Sequence, residues 1–229
     1  MITVIIPTLW LSDVLDQSLQ VLNNNKFVKE IFVIDNRPTK RNVDFEKFGE
    51  KQFSFQITSQ MFLKNEQYGK IRGLSPERNI YVSKAWNVGA ELATHPYLCI
   101  LNDDIVLPDN VFEFALSEMT EQTGIIGIHS QCLTNTTNVL SITPVAARPM
   151  GFGCCMFINR DKYKPIPDSI QIWYNDDYLL SRVLGQHYSM QELKVSGSIS
   201  KSVNNPEMQD EIKKIIEQDR KAYTLLTGI

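Results

Sequence analysis

Three short apolar runs, Ile2 to Ile6, Ile31 to Ile34 and Tyr97 to Leu101, each break off into polar residues: Pro7-Thr8, Asp35-Asn36 and Asn102-Asp103-Asp104. Runs this short, rich in β-branched residues and bounded by turn formers, read as strands buried on both faces. Pro7 cannot donate to a sheet ladder and is expected to stop the first strand. Between the runs the apolar spacing becomes helical. Leu11, Leu15, Leu19 and Leu22 mark one face with Ser12 as N-cap, and Val82, Ala85, Gly89 and Leu92 mark another before His95-Pro96. Buried strands alternating with one-sided helices require a sheet covered by helices, an α/β fold. In such sheets a ligand binds beyond the carboxyl ends of the strands, so the three polar ends are expected to line one cleft.

The rest of the chain continues the pattern. Phe53 to Ile57 alternates like a more exposed strand. A helix is expected over Asp109–Met119, with Val111, Phe112, Ala115, Leu116 and Met119 inward. Later strands are expected at Ile125–Ile128, Cys154–Ile158 and Leu193–Ile199, with a short helix from Asp176 to Leu184. A charged helix from Pro206 to Tyr223 starts with proline in its first turn, where a missing N–H costs nothing. With no repeat and no linker, residues 1–229 are read as one domain. Its expected parts are a first half (about 1–110), a second half (about 111–205) and a C-terminal helix (206–229).

A net charge of −3 gives no global basic field for nucleic acid or an anionic membrane. A local basic rim from Lys64, Lys70, Arg72 and Arg78 would reopen DNA as a partner. The basic, glycine-containing segment from Tyr68 through Arg78 reads as a phosphate contact or as a solvated loop, the latter preferred. The four cysteines lack C-x-x-C spacing, which argues against zinc and for reduced, buried thiols. No window is long and apolar enough for a membrane span, and the N-terminus reads as a strand, not a signal peptide. The expected location is therefore cytoplasmic.

Asn102-Asp103-Asp104 reads two ways. Adjacent carboxylates at a strand end repel unless a cation or donors compensate, which suits a hard divalent metal bridging a pyrophosphate. Asp104 would then hold the metal while Asp103 or Asn102 meets a ribose. Turn and cap chemistry ahead of Pro108-Asp109 accounts for the same residues without a ligand.

Pro7-Thr8, Val33-Ile-Asp-Asn36, Ser83-Lys-Ala-Trp-Asn-Val-Gly-Ala90 and Tyr97 to Pro108 follow one another in an order that resembles family 2 glycosyltransferases of the GT-A fold. The resemblance continues through Gly151 to Arg160 and Asn175-Asp-Asp-Tyr-Leu-Leu-Ser-Arg182, over roughly residues 1–185. It is similar to the compact stand-alone enzymes of bacteria and large bacteriophages. It implies a single GT-A-like domain with a mixed, mostly parallel sheet flanked by helices, and a nucleotide-sugar donor.

Residue by residue, the resemblance implies that Pro7 and Thr8 frame the nucleotide base and that Asp35 accepts a hydrogen bond from its imide. Asn87 and Gly89 match the family's N-x-G beside the nucleotide, although a surface amide and a helix-packing glycine are equally readable there. Asp104 matches the metal-ligating acid, with Mn2+ or Mg2+ as the cofactor; Asn102 replaces the family's first acid and shifts ribose binding toward Asp103. Counting back from Arg182 makes Asp176 the catalytic base, with Asp177 as the alternative and a helix N-cap as the non-catalytic reading. Trp173 reads as a stacking floor for a sugar or as a partly buried core residue. Phe152, flanked by glycines, reads as the tip of an acceptor lip formed by Arg148 to Gly153, or as part of a plain turn before the Cys154 strand. Where many relatives carry a metal-binding His, this chain has Val195 to Ser202, in which Lys201 reads equally as a cation neutralising the leaving diphosphate or as a solvated lysine. His187 is read as structural.

The expected activity is inverting, metal-assisted transfer from a nucleotide diphosphate sugar, UDP-linked by preference, to a hydroxyl acceptor. Acceptor classes left open are a glycan, a lipid-linked sugar and a modified DNA base. A nucleotidyltransferase of related fold would need a glycine-rich basic loop after the first strand, and Pro7-Thr8-Leu9-Trp10 has none. A non-catalytic nucleotide- or sugar-binding module would have no use for Asp35, Asp104 and Asp176 together.

Overall fold

In the computed structural model the described residues are 1–37, 69–74, 76, 78–198 and 209–228. Ten strands run in chain order: β1 (Ile2–Thr8), β2 (Val28–Asp35), β3 (Ile71–Leu74), β4 (Tyr97–Leu101), β5 (Ile105–Val106), β6 (Thr123–Ile128), β7 (Thr143–Val145), β8 (Cys155–Asn159), β9 (Gln186–Met190) and β10 (Ser196–Gly197). Eight of them form one sheet in the order β3-β2-β1-β4-β8-β6-β9-β7, and β5 pairs with β10 apart from it. The first half, β3-β2-β1-β4, is parallel throughout; β8 then runs antiparallel to both β4 and β6. The chain moves outward from β1 through β2 to β3, then returns to place β4 on β1's other side. A switch of this kind opens a crevice between the strand ends, here those of β1 and β4.

Among the described residues five helices cover the sheet: α1 (Leu15–Asn24), α2 (Tyr81–Leu92), α3 (Val111–Glu118), α4 (Asn175–Arg182) and α5 (Gln209–Thr227). The side-chain alternation of β1 assigns the layers. Ile2, Val4 and Ile6 pack with Leu15, Leu19 and Leu22 of α1 and Val111, Phe112 and Ala115 of α3. Ile5 points the other way, onto Ala85, Trp86 and Ala90 of α2, in a cluster that also holds Leu179 of α4. Burying each such Leu or Ile is worth about 1.5–3 kcal/mol. Gly89 lets α2 lie close to the sheet, since a Cβ there would come within 2.5 Å of Ile5 Cγ2.

Several expectations change. Pro7 does not stop β1. The Thr8 carbonyl accepts the Asn36 N–H, so Thr8 faces β2 and Pro7, one residue back, faces β4. Pairing with β4 has already ended at Ile5, so the missing N–H leaves no bond unmade. Ser12 is not the N-cap of α1: its Oγ accepts the Val14 N–H in a turn before the helix, and Leu11 lies outside it. The strand expected at Leu193–Ile199 shrinks to β10, and the longer strand is β9, whose Gln-His-Tyr-Ser-Met carries too little apolar alternation to announce itself. The basic segment before Arg78 forms edge strand β3. There Arg72 pairs with buried Glu30 at 3.3 Å and the Lys70 ammonium donates to the Asn25 carbonyl, so both serve the fold and not a phosphate. The strand expected at Phe53–Ile57, Lys64 and Pro206 lie outside the described residues. Among those described, no helix is long and apolar enough to cross a membrane.

Candidate active site

The ends of β1 and β4, the start of α4 and one side of α5 enclose a cleft of about 730 Å³. Pro7, Thr8 and Leu9 form one side, Asn102, Asp103 and Asp104 lie next to them, and Trp173 to Asp177 face these across the opening. The polar strand ends meet because β1 and β4 are hydrogen-bonded neighbours. The Thr8 hydroxyl donates to Asp103 Oδ2 at 2.5 Å and accepts the Trp10 N–H at 2.8 Å, so the first strand end orients the second. Asp104 is nearly buried, and its carbonyl accepts the Ser198 N–H beyond β10.

The opposite wall is built on Asn175. Its Oδ1 accepts the Ser83 hydroxyl of α2 at 2.6 Å, and its amide donates to the Ile172 carbonyl. Just before it, Tyr174 is held at φ 65°, a left-handed conformation costing a bulky residue roughly 1–3 kcal/mol. Beyond that bend, Asp176 and Asp177 line the cleft. Asp176 Oδ2 accepts the Gly153 N–H at 3.1 Å, and a Cβ on Gly153 would come within 2.8 Å of the same oxygen.

Arg148 joins both acids: its Nε donates to Asp177 Oδ1 at 2.8 Å, and Nη1 lies 3.5 Å from Asp176 Oδ2. Burial pushes the Asp176 carboxyl above its ordinary value, the Arg148 cation pulling it partly back and Asp177 adding to the rise. Against the cost of its own burial, Arg148 is held above its ordinary value by the two carboxylates. Cys154, between the two walls, is pushed up to about 12 by burial, then by Asp104 and Asp176, so it is a neutral thiol and no nucleophile. All four cysteines are free and buried.

Other expected residues are placed differently. Asn87 does not line the cleft: its Nδ2 donates to the Ile166 carbonyl while its Oδ1 accepts the Ile166 N–H and the Tyr163 hydroxyl, a complete structural use of the amide. Phe152 is no exposed tip. It is fully buried with its ring under Gly127, where any Cβ would strike it, and Met150 is the exposed apolar residue at that rim. Asp35 lies beside the cleft, its oxygens gripped by the Arg37 guanidinium at 2.5 to 3.0 Å, while its neighbour Asn36 is on the lining. His187 accepts the Ile125 N–H on its Nδ1, a structural bond. Lys201 lies outside the described residues.

Two contributors were missed in the sequence: Arg148 as the partner of both acids, and Asp219 of α5, whose carboxylate accepts the N–H groups of Gln171, Ile172 and Trp173. Asp219 did carry a signal. With Ile212, Ile215 and Ile216 it keeps the apolar phase of its helix, where an acid is unexpected.

Among the described residues no three acid, His or Cys side chains converge as a ready-made metal site. A cation here would be held by Asp104 and completed by phosphate oxygens and water, which is how small hard cations bind nucleotide substrates. The donor set fits that mode.

Comparison with known proteins follows the geometry. The model of glycosyl transferase family 2 matches residues 3–152, more than half of the chain. No curated protein sequence matches. Among solved structures, S. aureus TarS (residues 1–349) aligns over 99% of this chain and 72% of its own, at 10% identity and a TM-score of 0.57. The mannosyltransferase PcManGT of Pyrobaculum calidifontis, in complex with GDP-Man and Mn2+, aligns over 97% of this chain and 64% of its own, at 11% identity and a TM-score of 0.60. GalNAc-T7 with UDP, GalNAc and Mn2+ aligns over 86% of this chain but only 43% of its own, at 12% identity and a TM-score of 0.58. At these identities the structural likeness speaks for the fold, and the family match over the β1-to-Phe152 region speaks for descent. The chain belongs to glycosyl transferase family 2 and is a glycosyltransferase of the GT-A fold.

Proposed function

We propose that this chain transfers a sugar from a nucleotide diphosphate donor to a hydroxyl acceptor with inversion at the anomeric carbon. The observation that carries the reading is one cleft with Asp103-Asp104 at a strand end on one side and, on the other, a partly buried Asp176 bonded to the Gly153 N–H and facing Arg148. Pro7, Thr8 and Asn36 form the nucleoside end, with Asp103, oriented by Thr8, or Asn102 at the ribose. Asp35 reaches a base only with Arg37 turned aside. Asp104 would hold a divalent cation, Mn2+ or Mg2+, which would offset charge on the departing diphosphate. Lys201 remains the proposed second cation at the diphosphate. Asp176 takes the acceptor's proton as its oxygen bonds to the anomeric carbon, and the bond to the diphosphate breaks with its electron pair leaving on the nucleotide. A base above the usual carboxylate range suits proton removal from a hydroxyl near neutral pH. Trp173 lines the cleft beside the acids, where a ring face can stack on a sugar.

S. aureus TarS has been solved with UDP and with UDP-GlcNAc, and PcManGT with GDP-Man, which makes UDP- and GDP-linked sugars the first donors to try. The chain spans less than two thirds of PcManGT and under half of GalNAc-T7, so neither protein's acceptor carries over. A mass-spectrometric screen for nucleotide diphosphate release from UDP- and GDP-sugars tests the reading, with Asp104→Asn as the second arm. The expected result is release from at least one donor, stimulated by manganese in the wild type and not in Asp104→Asn. Release of sugar 1-phosphate in place of nucleotide diphosphate would point to nucleotidyl transfer instead. Equal manganese response in both proteins would remove Asp104 from the metal site.

A further inference from the structure

Helix α5 lies outside the family-matched residues 3–152, yet it grips the loop that carries the acids. Asp219, fully buried, accepts the Gln171 N–H on Oδ1 at 2.9 Å and the Ile172 and Trp173 N–H groups on Oδ2 at 2.8 Å each. One turn further along α5, the Tyr223 ring stacks on Tyr174 at 5.1 Å and 19°. Tyr174 is the residue in the left-handed conformation, and Asn175 and Asp176 follow it directly. Two contacts from one helix therefore fix the backbone just before the proposed base: a charged acceptor for three successive N–H groups, and a ring against the strained residue. Residues 171–173 lie in no helix or strand, so no ladder serves their N–H groups, and a carboxylate has enough acceptor sites to meet all three.

We propose that Asp219 is a positioning residue for glycosyl transfer, holding Gln171 to Trp173 so that the bend at Tyr174 delivers Asp176 into the cleft. It rests on the reading of Asp176 as base. Asp219 itself touches no substrate; its contribution passes through the loop. A residue of this kind sets the rate of the chemical step and leaves donor binding, built on β1 and β4, nearly untouched.

Asp219→Asn is the informative change, because it keeps the size but turns one acceptor into an N–H donor facing another N–H. The assay is release of nucleotide diphosphate from the turned-over donor, tried first as UDP-GlcNAc and GDP-mannose, at a temperature where every variant is folded by circular dichroism. The expected result for Asp219→Asn is a kcat lower by ten-fold or more with donor affinity within about two-fold. Tyr223→Leu, which keeps the carboxylate but removes the stack, should lower kcat in the same sense. It carries the test if Asp219→Asn does not fold. Lys221→Ala, on the exposed face of α5, should leave both parameters unchanged. The double variant Asp219→Asn with Asp176→Asn separates positioning from a general loss of structure: if Asp219 acts through Asp176, adding Asp219→Asn to Asp176→Asn lowers kcat no further. Full additivity, or a normal kcat in both Asp219→Asn and Tyr223→Leu beside an impaired Asp176→Asn, overturns the proposal alone. An unimpaired Asp176→Asn overturns the base assignment and this proposal with it.

Discussion

Arg148 holds two carboxylates in place, and this has a measurable consequence for catalysis. A base works when deprotonated, and burial raises the value of Asp176, the proposed base, so the acidic limb of the kcat–pH profile should lie above the ordinary value of an aspartate. Arg148 opposes that rise. Removing its charge in Arg148→Gln should therefore move the limb to still higher pH, while Arg148→Lys should leave it nearer the wild type. A limb that moves to lower pH in Arg148→Gln would show that the cation does not govern the base. At this scale the sequence was legible where a residue type has few structural uses beside its chemical one. Asp103, Asp104, Asp176 and Trp173 all reach the cleft. Asn87 and Phe152 were misread because an amide and a ring serve the interior equally well, and only three-dimensional neighbours separate the two uses.

Helix α2 and strand β1 show how elements set the site. Asn87 ties α2 to the Tyr163–Ile166 loop, Ser83 ties it to Asn175, and Gly89 lets it press on Ile5. Gly89→Ala opposes two effects. Alanine gains about 1 kcal/mol of helix propensity, but its Cβ meets a buried β-branched side chain with no room to turn, and such overpacking costs about 1–3 kcal/mol. The clash should win, lowering stability by about 1 kcal/mol in urea denaturation with the slope unchanged. Equal or higher stability would mean that α2 slides freely on the sheet. Elements with strong apolar periodicity, β4 and α2 among them, were legible almost to the residue. Strands β3, β7 and β9 were not. The first two are at the sheet's edges, and β9 carries polar residues at positions that stay half-exposed, so neither periodicity nor hydrophobicity marked them.

For the whole molecule, the division of labour runs between strand ends and later elements. In the proposed reading β1 and β4 supply the nucleotide side, whereas Arg148, α4 and α5 supply the catalytic side, and α5 reaches back from the far end of the described chain to complete it. Sequence order alone could announce the first side, because each polar cluster ends its own strand. It could not announce the second, which depends on pairings 23 to 48 residues apart, such as Asp176 with Gly153 and Gln171 with Asp219. The most direct test of the cleft as a glycosyl-transfer site compares Asp176→Asn and Asp177→Asn in a turnover assay, with donor affinity measured by calorimetry. Asp176→Asn retains size and an acceptor oxygen but cannot take a proton. It should lose about 10²–10⁴-fold in kcat at unchanged donor affinity, with Asp177→Asn milder. Near-normal turnover in Asp176→Asn beside an inactive Asp177→Asn would move the base one residue along. Near-normal turnover in both would contradict the assignment of this wall to catalysis.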